Sequence, residues 1–93
     1  MALNFEWDQK KASDNLAKHG INFDEASTVF SDPPSLTIYD PAHSQEEDRF
    51  IIIGSSHRQN LLVVVHTERG DNIRIISARH ASRSERKDYE EGD

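Results

Sequence analysis

Two arginines and a short polar segment are the residues of this sequence best suited to chemistry. Arg49 and Arg79 each stand at one end of an apolar run, and His43 and Glu47 precede Arg49. A guanidinium fork matches the oxygens of a phosphate in pairs, and a carboxylate or an imidazole can move a proton. If the ends of these runs meet, the arginines form a clamp for one phosphate, with Glu47 as first candidate base and His43 as second.

Each assignment has a structural alternative. Arg49 and Arg79 could form ordinary salt bridges with Glu47 or other acids, and Glu47 could be a loop acid that only orients Arg49. Carboxylates beside arginines generally have lowered pKa values, which weakens them as bases. Both interpretations stay open at the level of the sequence.

The hydrophobic pattern predicts the elements that must position these residues. The predicted strands are residues 3–7, 36–40, 49–55, 61–67 and 73–79. The predicted helices follow the capping residues Asp8, Asn22 and Ser82 and end near His19, Phe30 and Glu91. Strict alternation along the last strand places Ile73, Ile75, Ser77 and Arg79 on one face and Arg74, Ile76 and Ala78 on the other.

This order of elements predicts a single α+β domain over residues 1–93. A short N-terminal strand, two helices, a four-stranded antiparallel meander and a C-terminal helix follow one another. The runs Ile51–Ile53 and Val63–Val65 are apolar on both faces, so we expect central strands with helices covering at least one side.

The charge balance is acidic overall but uneven along the chain. The formal net charge is −6, which by itself argues against nucleic acid. Residues 1–40 carry three lysines against seven acids, whereas residues 74–87 carry five cations against Glu85 alone. The basic segment is therefore either a phosphate-binding surface or a solvated helix face with ordinary ion pairs.

Composition excludes several other classes of site and compartment. The chain has no cysteine, so thiolate nucleophiles, thiolate metal sites and disulfides are absent. The five histidines fit no zinc spacing, and no metal or other cofactor is expected. The N-terminus lacks an apolar run of signal-peptide length, and Leu61–Val65 is too short to span a bilayer. We expect a cytoplasmic protein with no membrane partner.

Several blocks of the sequence, in order and spacing, resemble the BrnT toxins of bacterial type II toxin–antitoxin systems. The blocks are Phe5-Glu6-Trp7-Asp8, Lys18-His19-Gly20-Ile21, the helix Phe23–Phe30 with its Asp-Pro exit, His43-Ser44 followed by Glu47 and Arg49, Gly54, Thr67-Glu68-Arg69, Ile75-Ile76-Ser77-Ala78-Arg79, and Ser84-Glu85-Arg86 with Tyr89. The Lys-His-Gly and Ile-Ser-Ala-Arg blocks together carry the resemblance.

The resemblance implies a RelE-like fold and a toxin that blocks translation by cutting RNA. It also implies a BrnA-type antitoxin with a ribbon-helix-helix part, which neutralises the toxin and through which the complex contacts operator DNA and represses its own operon. This chain shows no helix-turn-helix pattern of its own. We expect the antitoxin to contact the sheet edge and the last helix around Tyr89.

Cutting RNA without a metal needs a base for the 2′-OH, cations for the phosphate and an acid for the leaving oxygen. Lys18 and His19 could contact phosphate or supply the acid, or merely cap the first helix, whose C-terminal end favours cations. Trp7 could stack on a base or belong to the core. Arg69 and Arg83 are further candidates for RNA binding.

Two functions from different classes follow. The first is a metal-independent endoribonuclease toxin in which Glu47, Arg49, Arg79, His43 and Lys18 are catalytic. The second is a non-catalytic scaffold and co-repressor that holds the antitoxin. The presence of Glu47 and both arginines favours the enzyme, and the acidic balance suits the scaffold.

Overall fold

The computed structural model describes residues 3–43 and 45–92, without the side chain of His43. Its elements are β1 (Asn4–Glu6), α1 (Gln9–His19), α2 (Phe23–Ser27) with a 3-10 turn over Thr28–Ser31, β2 (Leu36–Tyr39), a 3-10 turn over Pro41–His43, β3 (Arg49–Ser55), β4 (Leu61–Arg69), β5 (Asn72–His80) and α3 (Arg83–Glu91). In the described residues no helix has the length and apolar character needed to cross a membrane.

The strands form one five-stranded sheet in the order β1-β5-β4-β3-β2. Strands β2 to β5 make the predicted antiparallel meander. The N-terminal strand, whose pairing the sequence left open, runs parallel to β5 and makes the sheet mixed. The α+β class is confirmed, with the first strand joined to the meander rather than apart from it.

The helix ends follow the predicted capping residues. The Asp8 side chain accepts a backbone N–H of the first turn of α1, and Gly20 ends that helix with φ 73°. A left-handed residue here costs glycine nothing, because it has no Cβ. Asn22 caps α2, and Ser82 forms a complete capping box with Glu85. Local chemistry thus sets where the helices begin.

The capping box expected for α2 is only half formed. Glu25 donates its backbone N–H to Asn22, but its carboxylate does not return to the cap. It accepts hydrogen bonds from Ser56 Oγ at 2.6 Å and Asn60 Nδ2 at 2.8 Å. The buried carboxylate therefore joins α2 to the β3–β4 turn.

The sheet has a core cluster on each face. Under α2, with Ala12 of α1 packed against it, lies the main core cluster, made of Ile21, Phe23, Ala26, Val29, Ile52, Leu62, Val64, Ile75 and Ala78. Under α3 lies a smaller cluster of Ile53, Leu61 and Val63, against which Ile51, Ala81 and Tyr89 pack. On this second face Ile38 remains 45% exposed, so α3 covers only part of it.

A β-bulge in β5 breaks the alternation expected for that strand. Val65 pairs with Ser77 and His66 pairs with Ile75, which leaves Ile76 without an opposite residue. Ile75 and Ala78 consequently lie in the same core cluster. The prediction that Ile75 shares a face with Ser77 and Arg79 is therefore wrong, because one extra residue shifts the phase of the strand.

One buried asparagine attaches α1 to the edge of β5. Asn15 Oδ1 accepts the Ala78 N–H at 3.0 Å, and Nδ2 donates to the Ala78 carbonyl at 2.8 Å and the Ile21 carbonyl at 3.0 Å. Strand β1 pairs with β5 only as far as Arg74, so Ala78 has no strand on this side. The amide takes the place of the missing neighbour.

We predict that Asn15→Ala lowers the free energy of unfolding by about 2–4 kcal/mol. The substitution leaves the N–H and C=O of Ala78 buried without partners, and each such group costs about 1–3 kcal/mol. Urea unfolding followed by circular dichroism measures the change. Asp14→Ala, an exposed change one residue away, is the control and should stay within about 0.5 kcal/mol. Equal effects of the two substitutions would contradict this role of Asn15.

Candidate active site

The predicted arginine pair does not meet. Arg49 lies opposite Thr67 and Arg79 lies opposite Val63, so both arginines share the α3 face of the sheet but sit four β4 residues apart. With two strand spacings added, their Cα atoms are on the order of 16 Å apart. Strands β3 and β5 both run antiparallel to β4, so the start of β3 is level with the start of β5. In this structure each guanidinium is paired with its own acid, and the clamp on one phosphate stays a prediction.

Arg79 is held by the last helix. Its two terminal nitrogens donate to the Glu85 carboxylate at 2.7 and 2.8 Å. These hydrogen bonds are the main reason that the pKa of Glu85 falls to about 2 and that the pKa of Arg79 is raised. The arginine side chain is nevertheless 43% exposed. It can therefore contact a phosphate if the ligand shares the guanidinium with Glu85 or displaces it.

Arg49 is also paired with an acid, and its surroundings are more acidic than those of Arg79. Its Nε and one terminal nitrogen both lie 3.3 Å from Glu47 Oε2. An open cavity of about 540 Å³ beside this pair is lined by Ala42, Gln45, Glu46, Glu47 and Arg49. Two acids against one arginine disfavour a phosphate here. The side chain of His43, the second candidate base, lies outside the described residues.

Lys18 and His19 face the other end of the sheet. They line a cavity of about 210 Å³ between α1 and β5, together with Lys11, Asp14, Asn15, Ile76 and Ser77. Ser77 and Arg79 share a face of β5, since their partners Val65 and Val63 are two residues apart. The structure therefore places Lys18 and His19 beside Ser77, two residues before Arg79 on β5, and two strands away from Arg49.

Sequence reasoning missed Lys11 and Ser77 in this group. Lys11 could have been predicted from the sequence. It stands seven residues before Lys18 in the same predicted helix, so the two lysines share one helix face. Ser77 was not, because the bulge at Ile76 sets its direction and leaves no signature in the sequence.

The remaining residues that were predicted to bind RNA lie in different parts of the fold. Trp7 packs edge-to-face on Phe23 at 5.8 Å and lies against the main core cluster. Arg69 lies 3.9 Å from Glu6, far from Arg79 along the sheet. Arg83 is exposed in the first turn of α3. Of these three residues, only Arg83 lies at the Arg79 end of the fold.

The Arg79–Glu85 pair predicts a specific dependence of stability on pH. Because the pKa of Glu85 is lowered from 4.5 to about 2 in the folded chain, its stabilisation is present above pH 4.5 and is lost as pH falls towards 2. Glu85→Gln keeps the capping hydrogen bond to Ser82 but removes the charge. The difference in urea stability between wild type and this variant should be constant above about pH 5 and shrink below it. Glu90→Gln is the exposed control on the same helix, and a pH-independent difference for Glu85→Gln would contradict the pairing.

Comparison with known proteins identifies the family. The family model of the ribonuclease toxin BrnT of type II toxin–antitoxin systems matches residues 7–85. The crystal structure of the Brucella abortus ribonuclease toxin BrnT superposes with a TM-score of 0.64 at 25% sequence identity, covering 88% of this chain and 100% of that one. Among curated proteins no match was found. Since the family model spans most of the sequence, the chain belongs to the BrnT family of ribonuclease toxins of type II toxin–antitoxin systems.

Proposed function

We propose that this toxin is a metal-independent endoribonuclease whose reacting phosphate binds at the Arg79 end of β5. The observation that carries the proposal is the grouping of Lys18 and His19 of α1 beside Ser77, with Arg79 next along the same face of the strand. Lysine and arginine can stabilise charge on a phosphate, and histidine can move the protons, when a 2′-OH attacks.

In the proposed reaction a base removes the proton of the 2′-OH. The oxygen attacks the adjacent phosphorus, the bond to the 5′-oxygen breaks, and an acid protonates that leaving oxygen. Arg79 and Lys18 stabilise the charge that develops on the phosphate oxygens. His19 takes the acid or base role, since an imidazole can serve in either at neutral pH.

The roles predicted for Glu47, Arg49 and His43 change with this placement. In this proposal the reacting phosphate lies at Arg79, whereas Glu47 contacts Arg49, whose Cα is on the order of 16 Å from that of Arg79. We propose that Arg49 contacts another part of the same RNA strand and that Glu47 orients its guanidinium, as their 3.3 Å contact supports.

A second function has an observation of its own. Both candidate arginines pair with acids, Arg79 with Glu85 and Arg49 with Glu47. Side chains used in this way could serve stability alone, which favours a scaffold that holds the antitoxin and helps repress the operon without cutting RNA.

We further propose a BrnA-like ribbon-helix-helix antitoxin as partner, contact with operator DNA through that antitoxin, and action in the cytoplasm. The edge of β2 supports a strand-type contact. Asp40 donates its N–H to the Arg49 carbonyl, so by alternation the backbone groups of Thr37 and Tyr39 face away from β3. Ile38 and Tyr39 are both about half exposed beside these groups. An extended antitoxin segment can add a strand there.

RNA cleavage by the purified chain in the presence of EDTA tests the enzyme. We expect Arg79→Ala to reduce the cleavage rate by about 10²- to 10³-fold, the usual cost of removing one charge-stabilising donor. Arg86→Ala, an exposed change on α3, is the matched control and should cut at the wild-type rate. A folded wild type that binds antitoxin but leaves RNA intact would support the scaffold instead.

The separation of the two arginines also predicts how their substitutions combine. If Arg49 and Arg79 contact different parts of the RNA, the losses in kcat/KM of Arg49→Ala and Arg79→Ala should multiply in the double variant. Steady-state cleavage of one short RNA by the four proteins completes the cycle. A double variant no worse than the poorer single one would indicate that both arginines act on one phosphate and would contradict the separate role proposed for Arg49.

A further inference from the structure

The cavity between α1 and β5 is the place where the fold collects side chains that the reaction above does not use. Lys11 and Ser77 line it together with Lys18 and His19. We infer that this cavity is a subsite for an RNA phosphate next to the reacting one, with Lys11 and Ser77 as its contacts. The inference rests on the proposed ribonuclease function and names where the neighbouring part of the substrate binds.

The bulge in β5 gives the cavity its wall. Consecutive residues of a regular strand point to opposite faces, yet Ile76 and Ser77 both line this space. Ile76 is the unmatched residue of the bulge, which redirects the chain at this point. The irregularity therefore brings Ser77 into the same cavity lining as the lysines of α1.

The charge of the cavity suits an anion. Lys10 pairs with Asp14 at 3.1 Å, which engages the acid at the rim. Within the part of the chain that the structure describes, Lys11 and Lys18 form no ion pair. Lys18 balances the C-terminal end of the helix dipole, but Lys11 stands in the first turn, where that dipole disfavours a cation. Capping alone thus does not account for Lys11.

The floor of the cavity is rigid and its size is restrictive. Asn15, between Lys11 and Lys18 on the helix face, is held by its three backbone hydrogen bonds. The volume of about 210 Å³ is below the roughly 300–1,000 Å³ of ordinary small-molecule sites. A phosphate, with several acceptor oxygens, matches two ammonium groups and a hydroxyl better than a carboxylate does.

The position of the cavity links it to the reacting phosphate. Ser77 and Arg79 are alternate residues on one face of β5, so their Cα atoms are about 7 Å apart. This separation is comparable with that of successive phosphates in an extended single strand. One strand of RNA can therefore place one phosphate at Arg79 and the next between Ser77 and Lys11.

Binding of a single-stranded 2′-O-methyl oligonucleotide tests the inference, because this probe cannot be cut by 2′-OH attack. Fluorescence anisotropy at several salt concentrations gives the slope of log affinity against log salt. We expect Lys11→Ala to reduce that slope by about 0.7, the value for one phosphate contact on a single strand. Its binding deficit relative to wild type should then shrink by about 2- to 3-fold between 50 and 200 mM salt.

Two further variants make the test specific. Lys87→Ala removes the same charge from exposed α3, outside the cavity, and should leave the slope unchanged. Ser77→Ala should weaken binding without changing the slope, because it removes a donor and no charge. Equal slopes for Lys87→Ala and Lys11→Ala would overturn the inference, as would a Lys11→Ala effect confined to antitoxin binding.

The outcomes separate the subsite from the nuclease. If wild type cuts RNA and Lys11→Ala binds the probe as Lys87→Ala does, the nuclease stands and the subsite is wrong. If wild type cuts no RNA but the slope depends on Lys11, the chain binds a phosphate in this cavity and the proposed catalysis is wrong. An absence of probe binding by wild type would overturn the subsite.

Discussion

The three hydrogen bonds of Asn15 hold the first helix against the edge of the sheet, and the arrangement of the site depends on them. Strand β1 ends before it reaches Ala78, so this part of β5 has backbone groups that no strand satisfies. Burying such groups unpaired is costly, and an amide that both donates and accepts satisfies them together. The same contact fixes the height and rotation of α1, and with them the positions of Lys11, Lys18 and His19.

The sheet then determines which of the polar residues can act together. Antiparallel pairing carries the start of β3 and the end of β5 to opposite ends of one face, where Arg49 pairs with Glu47 and Arg79 pairs with Glu85. At the bulge around Ile76, Ser77 lies beside α1 at the edge of β5. On this face α3 packs over Ile53, Leu61 and Val63 and leaves Ile38 of β2 45% exposed.

The acidic and basic side chains of this protein are unevenly distributed over the fold. Charges on the surface are screened over about 8 Å at physiological salt, so the net value of −6 matters less than the charges beside a bound phosphate. Glu6, Glu47 and Glu85 each lie against an arginine, whereas Lys11 and Lys18 point to a cavity whose rim acid already pairs with Lys10. Acids near the arginines also orient guanidinium groups that would otherwise be mobile.

The sequence by itself determined the elements and the family of this protein. Caps such as Asp8, Asn22 and Ser82, the glycine after His19 and the period-2 runs of the meander are local signals, because they act between residues a few positions apart. The tertiary structure decided the parallel pairing of β1, the bulge, the hydrogen bonds of Asn15 and the partners of Arg49 and Arg79. These features arise between residues distant in sequence, as with Asn15 and Ala78, and they depend on which backbone groups the packed sheet leaves unsatisfied. Residue types near one another in sequence indicated the chemistry, but only the register of the strands showed which of them share one place.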